Sequence, residues 1–263
     1  MRKYWYIFKS ELMSSLQYVF NMFSRMISYI LMMFIFMNLW KYIYSDPDEL
    51  INNYSVGQMI WYVIMTEWIY FSTRGRNFCN KIINDVRSGN LVYNMNKPYS
   101  YVNYLLASHL GEMSLTFVVF GFVGAGLGAI FIGEFPTLIG GEFLAVLLTT
   151  ILAIVISTLL VIFIGLFSFI IEDSTPFYWL YSKLMLMFGT LFPIEFFPKW
   201  AQGVLNYSPV YSSSYGPAKL FVAFDWGNFG KIILAQMIYL IIGYVLCLLV
   251  YRKGVKRLNA NGG

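Results

Sequence analysis

Four ionisable residues lie inside otherwise apolar stretches of the sequence: Glu67, His109, Glu112 and Lys183. Such side chains are costly in apolar surroundings, so they usually pair with one another, line a polar path or relay protons. We expect Lys183 to pair with Glu67 or Glu112 and to hold helices together. A substrate-facing position and a proton relay are the alternatives that these residue types leave open. We expect His109 to be hydrogen-bonded to its neighbours.

The motifs that bind phosphates or catalytic zinc do not occur in the sequence. The only lysine followed by serine or threonine is Lys9, and the residue before it is Phe8 rather than the glycine of a phosphate-binding loop. A single histidine rules out the paired-histidine zinc motif. We therefore expect no catalysis, cofactor or metal in this chain. Energy for uphill movement would come from a partner or from an ion gradient.

The composition indicates an all-α polytopic membrane protein. The 263 residues are 59% hydrophobic and 12% charged, whereas soluble domains carry about 25% charged residues. Several apolar runs reach the roughly 20 residues that a helix needs to cross about 30 Å of hydrocarbon. The net charge of +5 comes from basic residues beside the apolar runs, so it indicates membrane topology and not a nucleic-acid partner.

The apolar runs predict six transmembrane helices in one domain that covers residues 1–263. An amphipathic helix over residues 1–18 is expected to lie in the membrane interface before the first crossing. The aromatic, proline-punctuated segment 193–228 is too interrupted to cross, and we expect it to form short helices in the outer leaflet. The predicted spans are residues 22–44, 56–72, 102–132, 143–171, 177–192 and 232–251.

The basic residues predict the orientation. Both termini and the polar loop 74–100 together hold twelve of them, and the opposite side of the six-span arrangement holds four. Positive charge accumulates on the cytoplasmic side. The termini and this loop are therefore expected to be cytoplasmic.

The loop 74–100 is the longest polar stretch, and we expect it to contain a short amphipathic helix. Phe78, Ile82 and Val86 recur every four residues, which places them on one helix face. The Ser-Gly-Asn sequence at 88–90 is typical of a helix end. We expect the apolar face to be free to meet another protein. The alternative is a solvated amphipathic loop that lies on the bilayer.

The third predicted span carries a GxxxG pattern at Gly124 and Gly128. Small residues at this spacing let two helices approach closely in lipid. We favour tight packing within the subunit, and the alternative is a dimer contact.

The chain resembles the permease subunit of ABC-2 type exporters, in a branch formerly described as a family of unknown function. Four features carry the resemblance: the N-terminal KYWYIFKSELMSSL, the loop motif IINDVRSGNLVYNMNKP, the outer segment LFPIEFFPKWAQGVLNYSPVYSSSYGPAKLF, and a Gly-Gly end after a basic tail. Their order and spacing cover nearly the whole sequence.

The resemblance implies a subunit that pairs with a second permease, identical or related, above two separate ABC-type ATPase subunits. ATP and Mg²⁺ would bind to those ATPases. It implies an outer lid formed by the segment with Pro193, Pro198 and Pro209. It also implies a coupling helix seated in a cleft of the ATPase, with the residues Ile82, Asp85, Val86, Arg87, Ser88, Gly89 and Leu91.

Three functions follow as hypotheses. The first is ATP-powered export of a hydrophobic or amphipathic molecule, such as a drug, peptide, lipid or glycan, across the plasma membrane of a bacterium or archaeon. The second is a gradient-driven secondary transporter that uses Glu67, Glu112 and Lys183. The third is a membrane anchor that recruits a cytoplasmic ATPase without transport. Membrane lipid is an expected partner in each case.

Overall fold

A computed structural model describes residues 2–17, 19–44, 46, 49–95 and 97–261. In chain order the α-helices of the described residues are α1 Arg2–Gln17, α2 Val19–Ile43, α3 Val56–Ser72, α4 Arg76–Arg87, α5 Asn90–Met95, α6 Tyr101–Phe131 and α7 Gly141–Leu166. They continue with α8 Ser168–Ile171, α9 Thr175–Met185, α10 Lys199–Asn206, α11 Gly216–Val222 and α12 Trp226–Asn261. The Gly-Gly end of the sequence lies outside the described residues, as do residues 1 and 18 of the predicted interfacial helix.

Among the described residues, four helical segments are long and apolar enough to cross a membrane: Met22–Ile43, Tyr101–Phe131, Gly141–Ile171 and Trp226–Lys256. They coincide with the first, third, fourth and sixth predicted spans. The all-α architecture is thus confirmed for the described residues.

The second and fifth predicted spans correspond to shorter helices. Helix α3 has 17 residues, which at 1.5 Å per residue extend about 26 Å. Helix α9 has 11 residues and is continued by a π-helical turn, Leu186–Thr190. Most of α3 is buried by neighbouring helices. That these two helices also cross the membrane stays a prediction.

The glycines of α6 let bulky side chains of the same chain approach its backbone. A Cβ placed on Gly121 would lie 2.8 Å from the indole of Trp68. Gly124 lies against Tyr29, and Gly128 lies against Trp61. In each case the aromatic side chain is too close to leave room for a Cβ on the glycine. The GxxxG pattern therefore packs within the subunit, as expected.

The outer segment 193–228 consists of short helical pieces that pack into the bundle. A 3₁₀ turn at Ile194–Phe196, helix α10, a π-helical turn at Tyr211–Tyr215 and helix α11 follow one another. Ser212 and Ser213 are fully buried, and Ala218 and Leu220 of α11 belong to the same core as α3. Short helices were expected here, but their depth in the core was not.

Candidate functional site

The predicted amphipathic helix of the polar loop is α4, and its end is built by local hydrogen bonds. The Ser88 hydroxyl donates to the carbonyl of Asn84 at 2.7 Å, and the Ser88 amide continues the helical pattern to the same carbonyl. Gly89 follows with a φ of +73°, which a residue without a Cβ adopts at little cost. The chain then turns sharply into α5.

The apolar face of α4 is not free, which corrects our expectation. Phe78, Ile82 and Val86 are all buried inside the chain. Ile82 packs against α7 at Gly165. A Cβ added to Gly165 would lie 2.9 Å from the Cβ of Ile82. The reason is that α7 and its neighbours offer a complementary apolar surface within the same subunit. The sequence pattern shows that a face will be buried, but it does not show against what.

Cys79 extends this buried face, and burial raises the pKa of its thiol to about 12. A thiol with so high a pKa is protonated at neutral pH, and it acts as a packing group rather than a nucleophile.

Two further residues of the predicted coupling set are held by contacts with other parts of the same chain. The Asp85 carboxylate accepts a hydrogen bond from the Tyr101 hydroxyl at 3.2 Å. Leu91, on α5, is fully buried. By contrast Arg87, Ser88 and Gly89 are exposed, together with the adjacent Asn84 and Asn90. We call the exposed residues Arg87 to Asn90 the coupling turn, after the role that the resemblance predicts for them.

The loop is also tied to the N-terminal helix α1. The Ser100 amide donates to the Tyr4 hydroxyl at 3.0 Å, and Lys3 donates to the carbonyl of Pro98. Further along α1, Glu11 accepts from the Ser108 hydroxyl at 2.8 Å. The helix therefore lies along the start of α6 and holds the end of the polar loop in place.

Comparison with known proteins decides the family. A family model described as ABC-2 family transporter protein matches residues 26–262, which is most of the chain. The chain belongs to the ABC-2 transporter family. A search of curated proteins found no significant match.

Permeases of the ABC-2 family work in general with an ABC-type ATPase, and the protein is thus a membrane transport component. The matched range includes α4, the coupling turn and the outer segment. The coupling and lid roles of individual residues stay predictions.

Two cavities lie along α3 of this ABC-2 permease. An apolar cleft of about 500 Å³ lies between α3, α6 and α7, and Phe122 and Phe143 at its rim are more than half exposed. A second pocket, of about 540 Å³, is lined by polar groups that include Ser55, Gln58 and Glu142. The cleft can accept apolar groups, and the pocket can accept polar ones.

Three aromatic side chains, Trp61, Phe135 and Phe221, line both cavities. The Trp61 ring centroid lies 5.0 Å from that of Phe135 and 5.6 Å from that of Phe221. The Trp61 indole is fixed by a hydrogen bond to the carbonyl of Glu134 at 2.8 Å. This aromatic cluster forms the wall between the apolar cleft and the polar pocket. The sequence offered no spacing signal for it, because the three residues come from distant parts of the chain.

The intramembrane ionisable residues do not pair as expected. Glu67 is fully buried, and neither carboxylate oxygen has a hydrogen-bond partner within the described part of the chain. Lys183 lies on the exposed face of α9 beside Leu184 and forms no ion pair with Glu67 or Glu112. The expected Lys183 pairing is therefore wrong, because the α9 side chain points outward from the bundle.

His109 behaves as expected. Its ring is buried, its Nδ1 lies 3.2 Å from the Thr158 hydroxyl, and its centroid lies 4.3 Å from that of Phe78. It thereby joins α6 to α7 and to α4.

A charged cluster that no local sequence pattern predicts holds the outer segment against the rest of the chain. The Glu195 carboxylate accepts from the Tyr215 hydroxyl at 2.6 Å, from Lys219 at 3.0 Å and from the Tyr54 hydroxyl at 3.2 Å. Burial opposes ionisation of Glu195, but the Tyr215 hydrogen bond and the Lys219 charge outweigh it and lower its pKa. Burial, reinforced by the Glu195 charge, raises the pKa of Tyr54. We call these four residues the outer clip.

The three prolines of the predicted lid stand at the starts of the short helical elements and do not belong to the outer clip. Pro193 is buried and precedes the 3₁₀ turn, while Pro198 is exposed and precedes α10. The carbonyl of Pro209 accepts from the Ser213 hydroxyl at 2.7 Å. Prolines suit these positions because no helical hydrogen bond is lost there.

Proposed function

We propose that this protein is the membrane-spanning subunit of an ABC exporter that moves a hydrophobic or amphipathic substrate. The proposal includes six membrane crossings, among them α3 and α9 with its π-helical turn, and cytoplasmic termini. Two separate ABC-type ATPases would bind beneath the coupling turn, and a second permease, identical or related, would complete the path. ATP and Mg²⁺ would bind to the ATPases alone.

The proposal rests on α4 and the turn that follows it. The apolar face of α4 is buried against other helices of the chain, while the coupling turn at its end is exposed. The exposed coupling turn offers Arg87 and backbone groups to a partner, while Ile82 fixes the same helix to Gly165 of α7. Since packed interiors transmit displacement with little compression, a push on the turn would move α7. Ile82, Val86 and Leu91 would then transmit force without touching the ATPase.

The two cavities along α3 support an amphipathic cargo. Apolar groups would enter the cleft beside Phe122, and movement of the wall at Trp61 would connect it with the polar pocket. The outer clip would hold the lid segment closed until ATP-driven rocking separates it from Tyr54. The substrate class is thus proposed from the chemistry of the walls.

The test is reconstitution of the permease with its ATPase in proteoliposomes. We expect amphipathic compounds to stimulate ATP hydrolysis and to accumulate in an ATP-dependent way. A permease that copurifies with an ATPase but transports nothing in the presence of ATP would favour the anchor hypothesis instead.

A second candidate function rests on Glu67. A fully buried carboxyl group that has no hydrogen-bond partner among the described residues is a feature of proton-coupled transporters. Transport that collapses with a protonophore and persists without ATP would favour this gradient-driven alternative.

A further inference from the structure

A polar cavity of about 440 Å³ lies where α1, α2, α4 and α6 meet, apart from the coupling turn and from the apolar cleft. Hydroxyl groups of Ser14, Ser15 and Ser24 line it, and Asn77 contributes an amide. Such a set of hydrogen-bonding groups suits a polar ligand of headgroup size.

Charges of both signs face this cavity without closing on one another. Glu11, Arg25 and Glu112 all line it. Glu11 already has partners outside the cavity lining, because Lys81 lies 3.9 Å from its carboxylate and Ser108 donates a hydrogen bond to it. Arg25 donates through one nitrogen to the carbonyl of Phe71 at 2.7 Å, and its other N–H groups remain for a ligand. The Glu112 carboxylate has no hydrogen bond or ion pair among the described residues, although Arg25 borders the same cavity. Separated opposite charges of this kind match a ligand that carries both signs.

The residue types define that ligand. A guanidinium binds phosphate through parallel N–H donors, and carboxylates accept hydrogen bonds from an ammonium group. The carboxylate of Glu112, which is unpaired among the described residues, with that of Glu11 beside it, favours a primary ammonium, which offers three N–H donors. We propose that this cavity binds the headgroup of a phosphatidylethanolamine-type lipid, with the phosphate on Arg25 and the ammonium between Glu11 and Glu112.

The surroundings favour a membrane lipid over a soluble phosphoethanolamine. Leu16, Phe20 and Phe23 lie on α1 and α2 next to the cavity residues, and their side chains are 46%, 86% and 52% exposed. They offer an apolar surface for acyl chains beside the polar cavity. That the cavity faces the cytoplasmic leaflet depends on the orientation given in the proposed function. The binding of the lipid to the cavity does not depend on that orientation.

The experiment uses the purified full-length permease without any ATPase, so its result is independent of export. Native mass spectrometry measures binding of phosphatidylethanolamine, phosphatidylcholine and phosphatidylglycerol of equal chain length. We expect phosphatidylethanolamine to bind about tenfold more tightly than phosphatidylcholine, which lacks N–H donors. Arg25→Gln lowers affinity for both zwitterionic lipids, and Glu112→Lys shifts the preference to the anionic phosphatidylglycerol.

Arg25→Gln also removes the hydrogen bond to Phe71 and can disturb the fold, so Glu112→Gln is the decisive variant. It breaks no bond of the described protein and should abolish the preference for phosphatidylethanolamine over phosphatidylcholine. Glu134→Gln, exposed beyond the other end of α6, is the matched control and should keep that preference. Equal binding of all three lipids to the unmodified protein, or an unchanged preference in Glu112→Gln, would overturn the proposal. The proposal would also be overturned if soluble glycerophosphoethanolamine bound as tightly as phosphatidylethanolamine.

Discussion

Ile82 of α4 and Gly165 of α7 are in such close contact that a Cβ on the glycine would lie 2.9 Å from the Ile82 Cβ. The two residues are far apart in sequence, and each is buried among apolar neighbours. This contact joins the helix that carries the coupling turn to the most apolar of the four membrane-spanning candidates.

Gly165→Val should push α4 away from α7. Overpacking of this kind costs about 1–3 kcal/mol, so we expect a lower melting temperature of the purified permease and weaker ATP-driven transport. Scanning fluorimetry and proteoliposome uptake provide the two measurements. Gly126→Ala is the control, because no atom lies within 4 Å of a Cβ at that position. Equal effects of both substitutions would show that the contact with Ile82 is not special.

Arg87→Glu should uncouple ATP hydrolysis from transport, because the exposed side chain is placed to set the register of the partner ATPase. Gly89→Pro should do the same, since proline cannot adopt a φ of +73°. ATPase assays of the reconstituted complex alongside uptake measure the ratio of the two rates. Lys199→Glu, exposed on α10, serves as a charge-reversal control. Normal coupling in both coupling-turn variants would contradict the assignment.

The outer clip should make stability depend on pH. The pKa of Glu195 is lowered in the folded protein, so its ionised form stabilises the fold above its ordinary value of about 4.5. That contribution, about 1–2 kcal/mol for a partly exposed pair, is lost as the pH falls through the lowered pKa. Melting temperatures from pH 7 to pH 3 would show the loss. Glu195→Gln should remove this part of the pH dependence, and an unchanged profile would exclude the clip as its source.

Glu67→Gln separates the two transport mechanisms. Because neither Glu67 oxygen has a partner in the described chain, the neutral amide should leave stability unchanged within about 0.5 kcal/mol or raise it. An ATP-driven exporter should keep its transport rate, which uptake by the reconstituted complex measures. Glu172→Gln, at an exposed position after α8, is the matched control. Loss of transport in Glu67→Gln with intact ATP hydrolysis would instead favour proton coupling.

Local patterns predicted much of the helical framework, because helix period and length are visible in a single segment. The bounds of α3 matched the predicted residues 56–72, and the Ser-Gly end of α4 was read from residue types alone. The partners of a helix face are not local. The Phe78–Ile82–Val86 face was expected to be free and is buried, and Lys183 was expected to pair and is exposed.

The sequence by itself determined that this is a helical membrane protein with a basic, amphipathic loop and no catalytic motif of its own, because hydropathy, charge and turn residues act over a few neighbouring positions. Only the tertiary structure decided which side chains meet. Trp61 with Phe135 and Phe221, Glu195 with Lys219, and the cavity that holds Arg25 all join residues from separate helices. Their spacing along the chain carries no signal, since contacts between helices depend on how whole helices pack against one another.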